Sequence, residues 1–103
     1  DVKGIYGSNE GSAIGVVKGV EESGKKGITI VGFDSGKAQV DAVRSGVMSG
    51  AITQNPIGIG EQVVAASMKA IKGEKLPKVV DTGFFWYDKN NIDDPKIASL
   101  LYQ

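Results

Sequence analysis

Apolar residues in this chain come in short runs separated by clusters of Gly, Ser, Asn, Asp and Pro. The first run, Val2 to Tyr6, is apolar at alternate positions and predicts a strand, with Gly7-Ser8-Asn9-Glu10-Gly11 following as a loop. Ser12 is a candidate helix cap, and beyond it Ala13, Ile14, Val16, Val17 and Val20 share one face at helical spacing. Gly24 is expected to end that helix in the left-handed conformation. Ile28 to Phe33 is apolar and β-branched without clean alternation, the mark of a strand covered on both faces. After Asp34-Ser35-Gly36, the positions of Ala38, Val40, Ala42 and Val43 predict a second helix that stops at Ser45-Gly46. Gly50 to Thr53 reads as a third, shorter strand closed by Gln54-Asn55-Pro56. A third helix is expected from near Ile59, with Val63, Val64, Met68 and Ile71 as its buried stripe and Gly73 as its cap. Val79 to Tyr87 predicts an aromatic-rich fourth strand, and Asp94-Pro95 a cap with proline in the first turn of a short terminal helix.

Strand and helix therefore alternate, which implies right-handed crossovers and an α/β fold: a largely parallel sheet flanked by helices on both faces. In such sheets ligands gather outside the carboxyl ends of the strands. That rule places Ser8, Asn9 and Glu10 after the first strand, Asp34 and Ser35 after the second, and Gln54 and Asn55 after the third. An amide, a carboxylate and an amide then share one rim. A carboxylate accepts from two hydroxyls and an amide both donates and accepts, so the set suits a polyhydroxyl ligand. Each of these residues, taken alone, is also a common turn former or helix cap. It is their recurrence at three strand ends that favours a site.

Composition narrows the function. The 103 residues carry 12 Lys and Arg against 12 Asp and Glu, a formal net charge of zero. A nucleic-acid module needs a basic excess, so no nucleic-acid partner is expected. There is no His and no Cys, which removes the commonest catalytic base, the thiol nucleophile and the usual zinc ligands. No cofactor or metal is expected, and no enzyme. Gly58-Ile59-Gly60 has Val63 where a dinucleotide loop needs its third glycine, and Asp34-Ser35-Gly36-Lys37 is too short for a phosphate loop. Asp93-Asp94 reads as a capped turn rather than a calcium site. The chain opens Asp1-Val2-Lys3 without an initiating Met, from which a mature or truncated piece is expected.

Gly7-Ser8-Asn9-Glu10-Gly11-Ser12-Ala13, Val31-Gly32-Phe33-Asp34 and Ala51-Ile52-Thr53-Gln54-Asn55-Pro56, in that order and spacing, resemble the ribose-binding branch of the periplasmic sugar-binding proteins. Asp81-Thr82-Gly83 and Asn91-Ile92-Asp93-Asp94-Pro95 add to the likeness. The resemblance covers the whole chain but only about the last third of a family member. It implies a two-lobed fold of flavodoxin-like lobes with sugar in the cleft between them. By resemblance Asn9 and Asp34 bind sugar hydroxyls, Gln54 contacts sugar at the hinge, and Glu10 is structural support. Phe84, Phe85, Trp86 and Tyr87 match none of the family's sugar-stacking positions and read as strand packing.

The implied organisation is a carboxyl-terminal sugar-binding lobe at 1–54, a hinge and helix at 55–78 belonging to an amino-terminal lobe, and a last strand and tail at 79–103 returning to the first lobe. The implied function is capture of a small sugar, a ribose-like pentose or hexose, for an ABC-type uptake transporter. The partners would be that sugar and a membrane permease, in the periplasm or otherwise outside the cytoplasm, with a lipid anchor in the precursor as a variant. The helix after the hinge would have an unpartnered stripe, which is expected to pack against the chain's own sheet in a changed arrangement or against a second copy, as a domain-swapped or packed homodimer. The alternative is the effector-binding domain of a LacI-type, sugar-responsive transcription repressor, which shares the fold and the Asn, Asp and Gln pattern.

Overall fold

The computed structural model describes residues 1–102. Eight elements follow one another: β1 (Gly4–Tyr6), α1 (Glu10–Ser23), β2 (Thr29–Phe33), α2 (Lys37–Ser45), β3 (Gly50–Gln54), α3 (Pro56–Ile71), β4 (Phe84–Tyr87) and α4 (Pro95–Ala98). The alternation expected from the sequence is present, with shifted ends. Helix α1 starts two residues before Ser12 because Asn9 is its cap, and the backbone N–H of Ser12 donates to the Asn9 Oδ1 at 2.8 Å. Gly24 ends α1 at φ 66°, as its position predicts. Helix α3 starts at Pro56 rather than Ile59, because Asn55 caps it and proline suits its first turn. The fourth strand is shorter than expected, Phe84–Tyr87, and 79–83 is not strand.

The sheet order is β1-β2-β3-β4. Strands β1, β2 and β3 are parallel, with Tyr6 beside Val31 and Val31 beside Gly50. Strand β4 departs from the parallel expectation: it pairs antiparallel with β3, with Gln54 opposite Phe84 and Ala51 opposite Tyr87. The reason is the path between them. The chain leaves the sheet at Gln54 and comes back beside the same residue, so the returning strand must run the other way.

Helices α1 and α2 lie on one face of the sheet, not on opposite faces. Gly32 of β2 points at both: a Cβ there would meet the side chains of Gln39 and Met48, with Ala13 Cβ at 3.2 Å. On that face Ala13, Ile30, Val40, Val43, Met48, Ala51 and Tyr87 form the core, joined by Ile92 and Ile97 from the last turn and α4. The other face carries Tyr6, Val31, Phe33, Ile52, Phe84 and Trp86, all half-buried or exposed. Trp86 lies across β3 over Gly50, where any Cβ would collide with its ring.

Helix α3 stands apart. None of its residues is buried, and its apolar stripe is open: Val63 is 58% exposed and Ile71 80%. The stripe expected to be buried therefore has no cover within the described chain. The radius of gyration of 17.0 Å exceeds the ~13 Å of a compact 100-residue domain, and the extents of 58 × 29 × 17 Å are those of an elongated body. Asn55 ties the exit and return of this excursion: its Oδ1 accepts from Gly58 N–H at 3.0 Å and its Nδ2 donates to the Thr82 carbonyl at 3.3 Å.

Candidate functional site

Because β1, β2 and β3 are adjacent and parallel, their carboxyl ends share one edge, and Asn9, Asp34 and Gln54 follow on that edge. Asn9 uses its side-chain oxygen to cap α1, which leaves its amide N–H groups to donate outward. Glu10, next in sequence, sends its carboxylate across to Gly36, the N-cap residue of α2, which makes no side-chain cap bond. A Cβ at position 36 would collide with that carboxylate. The negative charge thus rests at a helix amino terminus, where the dipole favours it.

Asp34 is held at φ 80°, the left-handed region. Its N–H donates to the Ile52 carbonyl at 2.7 Å, and its own carbonyl accepts the Tyr87 hydroxyl at 2.7 Å. On its amino-terminal side, Gln39 Nε2 donates to the Phe33 carbonyl at 2.6 Å. On the other side, the hydroxyls of Ser35 and Thr53, both fully buried, bond each other at 2.9 Å. The carboxylate so presented accepts from Gln54 Nε2 at 3.0 Å. The structure brings Asp34 and Gln54 into direct contact and sets Asn9 along the same edge.

Two further residues, Tyr87 and Tyr102, lie beside Asp34 and Glu10 without any sequence motif to mark them. Tyr87 looked like one of four strand aromatics, and Tyr102 lies in the tail beyond every motif. The phenol of Tyr102 is raised above its ordinary value, chiefly by loss of solvent and then by the carboxylates of Asp34 and Glu10, against a lowering bond from the Ser35 backbone N–H. Tyr87 is raised much further, first by burial and then by the neighbouring Tyr102, Glu10 and Asp34. Both hydroxyls are therefore protonated donors at neutral pH. The strand-packing expectation for the aromatics holds for Phe85 and Tyr87, which face the core. Alternation along β4 sends Phe84 and Trp86 to the other face, where Trp86 packs across Gly50 and Phe84 is 70% exposed.

The rim carries one carboxylate and two side-chain amides, with the Tyr102 phenol near Asp34. Among the described residues no group of three Asp, Glu, His or Cys could hold a metal ion. No helix among them is long and apolar enough to cross a membrane.

The pattern of the periplasmic binding protein domain matches residues 1–75. The chain belongs to the periplasmic binding protein family. Within it, a ribose import binding protein of Haemophilus influenzae is 41% identical over 76 residues, 74% of this chain and 26% of that protein. The corresponding protein of Escherichia coli K12 is 33% identical over 76 residues, with the same coverage. The chain thus spans about a quarter of the curated relatives it matches. An ABC transporter solute-binding protein of Agrobacterium vitis, bound with α-D-tagatopyranose, superposes with a TM-score of 0.91 at 34% identity, over all of this chain and 35% of the other. A Brachyspira murdochii structure described as an ABC transporter, LacI family transcriptional regulator, superposes with a TM-score of 0.85 at 47% identity, over 99% of this chain and 36% of the other. The periplasmic binding protein lobe is thus both the fold and the family of the chain.

Proposed function

We propose that this chain supplies one wall of a sugar cleft in a solute-binding protein that serves an ABC-type uptake transporter. The observation that carries the reading is the Asp34 carboxylate, locked at a strand end and paired with Gln54 on the rim. In this reading Asp34 accepts bonds from two sugar hydroxyls, and Gln54 and Asn9 donate and accept beside it. No covalent step is involved, so the protein captures and releases its ligand unchanged. The ligand is a monosaccharide, a pentose or hexose, a class supported by relatives named for ribose and D-allose and by neighbours holding D-fucose and tagatose. The partner is a membrane permease and the location is outside the cytoplasm.

The division of the chain follows the same logic. Residues 1–54 and 79–103 form the lobe that carries the rim, and 55–78 cross a hinge into a second lobe. The exposed stripe of α3 and the antiparallel return at Gln54 support this. Where no further polypeptide covers α3, a second copy is the partner for its stripe, which sedimentation of the chain would register as a dimer.

The alternative reading, the effector domain of a sugar-responsive repressor, is favoured by the Brachyspira murdochii description. The curated ribose-import relatives favour transport. Calorimetric titration of monosaccharides into a protein containing both lobes tests either reading of the rim. Asp34→Ala should abolish binding while thermal unfolding stays cooperative, and unchanged affinity would remove Asp34 from the site. A helix-turn-helix preceding this chain in its parent would decide for the repressor.

A further inference from the structure

Asp34 is the only residue other than glycine at positive φ among the described residues. Asp enters that conformation more readily than most residues but less readily than glycine, so the contacts around it decide how firmly it is held. The bonds to Ile52 and from Gln39 come from strand pairing and from the adjoining helix. The bond from Tyr87 is different: it crosses 53 residues of sequence, from the strand that returns after the α3 excursion, to the carbonyl of Asp34 itself. Tyr87 is the largest fully buried side chain among the described residues, so its ring cannot swing and its hydroxyl has a fixed address.

We propose that Tyr87 is a positioning residue for Asp34: its buried hydroxyl pins the left-handed backbone at Asp34, and so aims the carboxylate along the rim toward Gln54. The ligand rim is then complete only when β4 has docked, which links the return of the chain from the excursion to the competence of the site. The functional meaning rests on Asp34 being a sugar ligand, whereas the mechanical part does not.

The test is a four-member cycle in the 103-residue chain: the native sequence, Tyr87→Phe, Asp34→Gly and both together. Urea midpoints and amide hydrogen exchange at Asp34 are the readouts. Phe keeps the ring and removes only the hydroxyl, while Gly takes φ 80° without strain. Tyr87→Phe should accelerate exchange at the Asp34 amide by about tenfold or more relative to amides elsewhere in β2, as expected when one local bond is lost. Its loss of midpoint should shrink by about half or more in the Asp34→Gly background, the coupling expected of residues in direct contact. Should Tyr87→Phe not fold alone, the double variant should restore folding. Equal loss in both backgrounds, uniform acceleration across β2, or failure of that rescue would make Tyr87 a packing residue and overturn the proposal. Sugar titration of Asp34→Ala, done separately, decides the ligand reading, so the two claims fail independently.

Discussion

The Gln54 amide and the Asp34 carboxylate meet at 3.0 Å although 20 residues separate them in sequence. Each is the first residue to project beyond its strand or the last within it, and the parallel pairing of β2 with β3 brings the two ends side by side. Neither residue is buried deeply enough for this bond to hold the fold together. Its consequence is orientation: the Gln54 amide holds one of the two carboxylate oxygens in place.

Asp34→Asn separates charge from shape. Asn tolerates the left-handed region, so the fold should keep its stability to within about 0.5 kcal/mol. The charge-assisted bonds to sugar hydroxyls are lost, and affinity in the two-lobed protein should fall about tenfold or more. Paired urea denaturation and calorimetric titration measure both effects.

Two glycines lie hard against residues of α1, Gly7 at the end of β1 and Gly36 at the start of α2. At Gly7 a Cβ would lie 2.5 Å from the Ala13 Cα and 2.6 Å from its N, both backbone atoms that cannot step aside. Gly7→Ala should destabilise by about 1–3 kcal/mol or more, the range for overpacking. At Gly36 the obstacle is the Glu10 carboxylate, the end of a flexible, half-buried side chain, so Gly36→Ala should cost less. Chemical denaturation of the two variants ranks them.

The core and the α3 excursion should respond differently. Val43 is fully buried, and Val43→Ala should cost about 1–3 kcal/mol. Val64 is 65% exposed on α3, and Val64→Lys should leave the stability of the chain within about 0.5 kcal/mol of native at concentrations where sedimentation shows it monomeric. A large loss from Val64→Lys at higher concentrations, measured by the same denaturation, would mean that a second copy covers the stripe.

Alkaline pH should destabilise the fold. The phenols of Tyr87 and Tyr102 are both raised in the folded state, while an unfolded chain ionises its tyrosines near pH ~10. Above that pH the unfolded state holds fewer protons than the native state, so stability is fully present below it and declines as pH rises. Tyr87→Phe should flatten this alkaline limb, as read from urea midpoints collected from neutral to strongly alkaline pH.

The elements and the three rim residues were legible in the sequence because both depend on local signals. Gly24 marks a left-handed stop, Asp94-Pro95 a helix start, and polar residues follow each of the first three strands. The sequence does not distinguish Asn9 from Ser12 as the cap of α1, because both residue types cap helices and only backbone geometry chooses between them. The antiparallel direction of β4 and the common side of α1 and α2 were not legible, since both are set by the path of the whole chain. Tyr87 escaped for the same reason. Its hydroxyl matters only through a contact 53 residues distant, and along the strand it is one aromatic among four.

The most direct test of the sugar-rim account is a nitrogen–proton NMR titration of this chain with a panel of pentoses and hexoses up to their solubility. The account predicts weak, fast-exchanging shifts centred on Asn9, Asp34 and Gln54 for one or a few sugars, abolished by Asp34→Ala. One wall leaves the ligand largely solvated, so the affinity should be far below that of a closed cleft. Shifts centred away from the rim, a response that Asp34→Ala leaves unchanged, or no shift at the three residues with any sugar would contradict it.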